Sequence, residues 1–168
     1  YHPRMSTHYE SLSQADAYRD AFDVEAPAAS ERNMTPRKSG FFIRSVAVAA
    51  EAAAEQAEPA APDTPPAAPT TPARELVAAQ WGLVPHWVKS ASDAKLRAPK
   101  LVNAKSDTAS TGTAFRDAWL NGQRCIVPMA AFYEDDLRSG KAVPTRVARV
   151  DGKPMGVAGL WARWQGAD

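Results

Sequence analysis

Trp81-Gly82-Leu83-Val84-Pro85-His86-Trp87, Leu101-Val102-Asn103-Ala104-Lys105-Ser106-Asp107-Thr108, Phe115-Arg116-Asp117-Ala118-Trp119, Arg124-Cys125-Ile126-Val127-Pro128 and Phe132-Tyr133-Glu134 follow one another between positions 81 and 134. Short apolar runs cut by turn residues at close intervals predict short strands, not long helices. Two polar side chains, Asn103 and Glu134, stand inside these apolar runs, where an unpaired amide or carboxylate costs a few kcal/mol, on the order of 1–3, unless it has a partner or a task. That placement makes both candidate functional residues. On its own, each is also compatible with a plain role, Asn103 in a turn and Glu134 at a strand end.

Outward from this stretch, the expected elements are mostly extended. Ser13 is placed to cap a short helix with Ala17, Tyr18, Ala21 and Phe22 on one face. Residues 25–37 are expected to be irregular, and Phe41 to Val48 is β-branched and aromatic, as a strand is. Strands are further predicted over Glu75–Leu83, Leu101–Val102, Cys125–Val127 and Ala130–Tyr133, the last two split by Pro128, and a helix over Ala114–Asn121. Arg138 to Lys141 is expected to turn. Thr145–Val150 and Met155–Trp164 are predicted to form a hairpin about Asp151-Gly152. The fold class is α+β, mainly antiparallel β in a curved or barrel-like sheet with short flanking helices.

The chain has 168 residues and 45% hydrophobic content, enough for a single domain over 1–168 with a real core. Residues 49–74 change composition to alanine with six prolines and no periodic apolar face, and are expected to be a disordered surface insertion or inert linker. The stretch Gly156–Trp164 is apolar on both faces, as an interior strand is, although only four residues follow it. The expectation is a domain truncated at its C-terminal side, unless early strands supply both neighbours.

Twenty basic and nineteen acidic residues leave a net charge of +1, so a nucleic-acid partner has to be met by a local basic patch. The single cysteine, Cys125, excludes an internal disulfide and a thiolate-only zinc site, and is expected to be a small buried hydrophobe. His2, His8 and His86 lack metal-ligand spacing, and no metal or other cofactor is called for. Without an 18-residue apolar run or a signal core, no membrane partner is expected, and the chain is read as a soluble, monomeric cytoplasmic protein.

Taken with their order and spacing, the five motifs quoted above resemble those of the SOS response-associated peptidase (SRAP) family, the abasic site processing proteins. The similarity runs from about Met5 to Trp164, and Met5-Ser6-Thr7-His8-Tyr9-Glu10 looks like the family's N-terminus, where a Met-Cys pair opens the chain. The resemblance implies binding of abasic sites in single-stranded DNA and a covalent protein–DNA adduct through the N-terminal residue. It also implies a peptidase-type hydrolytic activity and a lyase activity in the SOS and DNA damage response, with removal of Met5 or a leader by autoproteolysis or an aminopeptidase, and association with the nucleoid during damage.

The chemistry has its own logic. A ring-opened abasic deoxyribose is an aldehyde, and an N-terminal amine with a pKa of about 7.7–8.0 is partly neutral and condenses with it. A neighbouring thiol then closes a stable thiazolidine. By resemblance, Glu134 shuttles protons and Asn103 holds the amine or the sugar oxygen. Ser6 stands where the family carries cysteine. Its hydroxyl closes only to a readily hydrolysed oxazolidine, so the alternative is a catalytically impaired single-stranded-DNA-binding module. A plain serine peptidase built on Ser6 lacks a placed histidine base. The family's further histidine has no counterpart among His2, His8 and His86.

For DNA contacts the candidates are His8, Trp87, Lys105 and Arg116. Lys105 and His8 stand at family positions that are often basic, and either can meet a phosphate or remain a solvated side chain. Trp87 is placed to stack on a base or to pack in the core. Arg116 and Arg124 can extend a groove, or Arg124 can pair with Asp117 or Asp107. Trp81, Trp119, Trp161 and Trp164 are assigned to packing.

Overall fold

The structure, a computed structural model, describes residues 6–46 and 73–166. In chain order the elements are β1 Tyr9–Glu10, α1 Ala15–Phe22, β2 Asn33–Met34, β3 Ser39–Ser45 and β4 Arg74–Gln80. Then come α2 Ala91–Arg97 with a 3-10 turn over Ala98–Lys100, α3 Arg116–Leu120, β5 Arg124–Met129, β6 Ala131–Asp136, β7 Val143–Val147 and β8 Met155–Leu160. The predicted insertion over 49–74 lies outside the described residues apart from its last two, and Arg74 already opens β4.

All pairings are antiparallel, in two four-stranded sheets ordered β2-β1-β6-β7 and β4-β3-β5-β8. This is the α+β, mainly antiparallel class expected. Among the described residues each sheet keeps two edges, so the curvature does not close into a barrel. β5 and β6 are separated only by Ala130, whose N–H bonds the carbonyl of Glu10, so one continuous run of sequence passes from one sheet into the other at this corner. Two packed clusters follow from it: Tyr9, Met34 and Met129 between the sheets, and Leu12, Tyr18, Val24 and Ile43 beneath α1. Met34 is fully buried and packs against β3 at Gly40, where an added Cβ would come within 2.7 Å of its terminal Cε.

Several expectations are corrected. β7 and β8 do not form a hairpin: β7 pairs with β6 from Phe132↔Val147 to Asp136↔Val143, whereas β8 pairs with β5 in the other sheet. The Asp151-Gly152 turn exists, with Gly152 at φ 73° and Arg149 bridging Asp151 at 2.6 Å, but a turn decides direction, and open ladder edges decide partners. Pro128 does not split its strand. β3 meets β5 at one bridge, Ile43↔Ile126, so a proline two residues further on removes no donor from that ladder. Leu101–Val102 is a tied loop held by Leu83 N–H and the Trp81 indole, not a strand.

The cap of α1 is Gln14 without a side-chain bond, in place of Ser13, and Ala21 is exposed while Tyr18 is the buried residue of the helix. β2 lies inside the stretch expected to be irregular. β8 has one neighbour among the described residues, β5, so the two-sided burial expected for it is absent there. α2 carried a signal that the sequence reading passed over: the Ser90 hydroxyl accepts from Asp93 N–H at 3.1 Å, an ordinary serine N-cap.

Candidate functional site

A cleft of about 1100 Å³ opens between the inner faces of the strands and the loop over 101–109. Ser6, Tyr9, Trp81, Asn103, Phe132 and Glu134 all line it. Strand alternation explains why the acid is there. Tyr9 is paired with Phe132, and Glu134 lies two residues on along β6, so the three side chains share one face. Glu134 is partly buried and its carboxylate has no hydrogen-bond or ion-pair partner among the described residues.

Asn103 is delivered by the tied loop. Trp81 Nε1 donates to Val102 O at 3.0 Å while its ring meets Tyr9 edge-on at 4.9 Å, which fixes the residue just before Asn103. Gly82 makes the approach possible: at φ 117° a Cβ would lie 2.5 Å from Ala98 O. From this loop Asn103 Nδ2 donates to the Ser6 carbonyl at 2.5 Å, a contact spanning 97 residues of sequence. Ser6 Oγ donates to His8 O at 3.0 Å. Ser6, Asn103 and Glu134 are therefore brought to one cleft, with the amide gripping the main chain of residue 6.

The candidate DNA contacts are placed differently. None of His8, Trp87, Lys105 and Arg116 lines the cleft. His8 is stacked flat on Tyr133, with ring centroids 4.2 Å apart, and its Nε2 lies 3.0 Å from Asn33 Oδ1. Trp87 is 41% exposed, beneath the Arg97 guanidinium at 5.0 Å, so it is not ordinary core. Lys105 is exposed with no side-chain partner among the described residues, and Arg116 is exposed and 3.6 Å from Asp117. Arg124 pairs with neither Asp117 nor Asp107; it lies over the Trp119 ring at 4.4 Å and lines the cleft. Trp119 is partly exposed beneath it, in addition to packing.

The opposite face of the same sheet holds a polar cluster that the sequence reading missed. Glu10 is buried, accepts from Arg146 Nε and Nη2 at 3.2 and 3.0 Å and from Tyr133 Oη at 2.5 Å, with Arg32 at 3.8 Å. Hydrogen bonds from Arg146 and Tyr133 hold its carboxyl at about 2, well below its usual value. Burial pushes the Cys125 thiol up to about 12, so it stays protonated. Among the described residues no cluster of histidine, cysteine and carboxylates is arranged to hold a metal, and no helix is long and apolar enough to cross a membrane.

The chain belongs to the SOS response associated peptidase (SRAP) family, whose pattern matches residues 4–168. It is similar to the abasic site processing protein YoaM of Bacillus subtilis, 36% identical over 86 residues, covering 51% of this chain and 36% of that protein. It is also similar to the abasic site processing protein HMCES of Gallus gallus, 37% identical over 71 residues, covering 42% of this chain and 21% of that protein. The matched segment thus spans about a third or less of the length of these relatives. A solved protein from Bordetella bronchiseptica superposes over 95% of this chain and 65% of its own, with a TM-score of 0.72 and 36% identity. One from Bacteroides thetaiotaomicron shares the fold, with a TM-score of 0.65 at 19% identity over 95% of this chain and 61% of its own.

Proposed function

We propose that this chain processes abasic sites in single-stranded DNA, with the α-amine of residue 6 as the nucleophile. The observation that carries the reading is the shared cleft, in which Asn103 holds the Ser6 carbonyl while Glu134 faces the same space with no partner among the described residues. Removal of the residues ahead of position 6, by autoproteolysis or by an aminopeptidase acting after Met5, exposes the amine. A small residue such as serine at position 6 favours that removal.

The amine nitrogen adds to the sugar aldehyde carbon to give a carbinolamine, and loss of water gives the imine. Glu134 in its acid form protonates the departing hydroxyl, and as carboxylate it takes the proton released by the nitrogen. Addition of the Ser6 Oγ–H across the imine closes an oxazolidine, while return of water releases the aldehyde and the free amine. Exposed Lys105 and Arg116 supply cations to the phosphates, and Trp87 offers a face for a base. His8, two residues from the reactive position, contributes to the strand path through a ring already held by Tyr133 and Asn33.

A second reading is favoured by one residue. With serine at position 6 no thiol can close the stable ring, and the cleft then serves a non-covalent single-strand binder. Protein expressed from Met5 is incubated with single-stranded DNA carrying an abasic site, with and without borohydride. Trapping only with borohydride supports the imine, and no trapping in either arm together with retained binding supports the second reading. Ser6→Cys is expected to give a heat-stable adduct without reductant.

A further inference from the structure

The chain ahead of β1, from Ser6, lies at the cleft, and the outer face of β1 is gripped by the Glu10 cluster. Tyr133 touches this entry three times: its N–H donates to His8 O at 3.0 Å, its ring stacks on His8 at an interplanar angle of 4°, and its hydroxyl donates to buried Glu10. His8 O in turn accepts the Ser6 hydroxyl. Glu10 is fixed from the far side by Nε and Nη2 of Arg146, which stands opposite Tyr133 in the β6–β7 ladder. Tyr133 and Glu134 are adjacent on β6 and point to opposite faces. One strand thereby holds the acid on the cleft side and the lead to residue 6 on the other.

We infer that Tyr133 is a positioning residue for residue 6: through His8 and Glu10 it sets where the reactive main chain lies relative to Asn103 and Glu134. No atom of Tyr133 is required at the reacting carbon. The inference rests on the proposed amine chemistry for its functional consequence, while the placement of the segment can be measured by itself. A side chain that only stabilised the sheet would alter the folded fraction, and binding and rate would fall together. A positioning residue alters the rate at saturating DNA by much more than it alters the half-saturation concentration.

The test compares the parent protein with Tyr133→Phe, which keeps the stacked ring, and Tyr133→Leu, which loses it. Each is assayed for single-turnover borohydride trapping at saturating abasic DNA and for hydrogen exchange of the segment over 6–10. Displacement of a reacting group by about 1 Å can cost on the order of a hundredfold in rate. Tyr133→Leu is therefore expected to trap at saturation at least about tenfold more slowly, with a much smaller loss of DNA affinity through the released His8 ring, to exchange faster over 6–10, and Tyr133→Phe to fall between it and the parent. Equal saturating rates in all three, or equal losses of rate and affinity, overturn the inference. If the parent itself does not trap, the proposed chemistry fails while exchange still decides the positioning: unchanged protection over 6–10 in Tyr133→Leu refutes it. Should Tyr133→Leu not fold, Tyr133→Phe decides by the same two readings.

Discussion

Replacing Glu10 with glutamine tests the electrostatics of the first sheet. Glu10 is 7% exposed, and its carboxylate is held by two Arg146 nitrogens and the Tyr133 hydroxyl, which lower its pKa from the ordinary 4.5 to about 2. At about 1.36 kcal/mol per unit the ceiling on its contribution is about 3 kcal/mol. Arg146 is about half exposed at its side chain, 47%, and solvent screening reduces the expected value to about 1–2 kcal/mol. Because the folded pKa lies below the unfolded one, this stability is fully present above about pH 4.5 and is lost as pH falls toward about 2.

Urea unfolding of parent and Glu10→Gln across that window gives the difference directly. Asp136, lowered by Arg138, and Asp151, lowered by Arg149, titrate in both proteins and cancel in the comparison. The variant is expected to be less stable by about 1–2 kcal/mol at pH 7, with the gap closing as the pH is lowered to about 2. A gap that is absent at neutral pH, or that stays constant on acidification, refutes the assignment.

Met34→Ala, at a fully buried position between the sheets, is expected to cost about 2–5 kcal/mol in the same unfolding assay. Cys125 is expected to resist thiol-specific alkylation at pH 8 in the native protein and to react at once in denaturant, because burial both hides it and holds it protonated near 12. Gly82→Ala is expected to lower both stability and trapping, since the new Cβ meets Ala98 O and displaces the loop that carries Asn103; calorimetry and the borohydride assay read the two effects. Exposed Lys105→Gln is expected to weaken single-strand binding with a shallower dependence on salt, by about 0.7 in the log–log slope for one lost phosphate contact.

Much of the strand content was legible because β3, β5 and β6 are β-branched or aromatic runs bounded by turn residues. Pairing was not, since it depends on which ladder edges remain open: the Asp151-Gly152 turn looks like a hairpin corner, yet β7 and β8 go to different sheets. Asn103 and Glu134 could be singled out as polar groups in apolar runs. That Asn103 grips residue 6 across 97 positions could not be, because local sequence carries no such distance. The Glu10–Tyr133–Arg146 cluster left no signal either: Arg146 is 136 residues from its partner, and only the β6–β7 register places it opposite Tyr133.

The amine at residue 6, served by Asn103 and Glu134, is tested most directly by trapping on abasic single-stranded DNA followed by mapping of the linked residue. Parent protein is predicted to be trapped by borohydride at residue 6. Glu134→Gln is predicted to slow trapping by about a hundredfold or more, and Asn103→Ala by about tenfold or more. A link mapped to any other residue, or variants that trap as fast as the parent, would contradict the account.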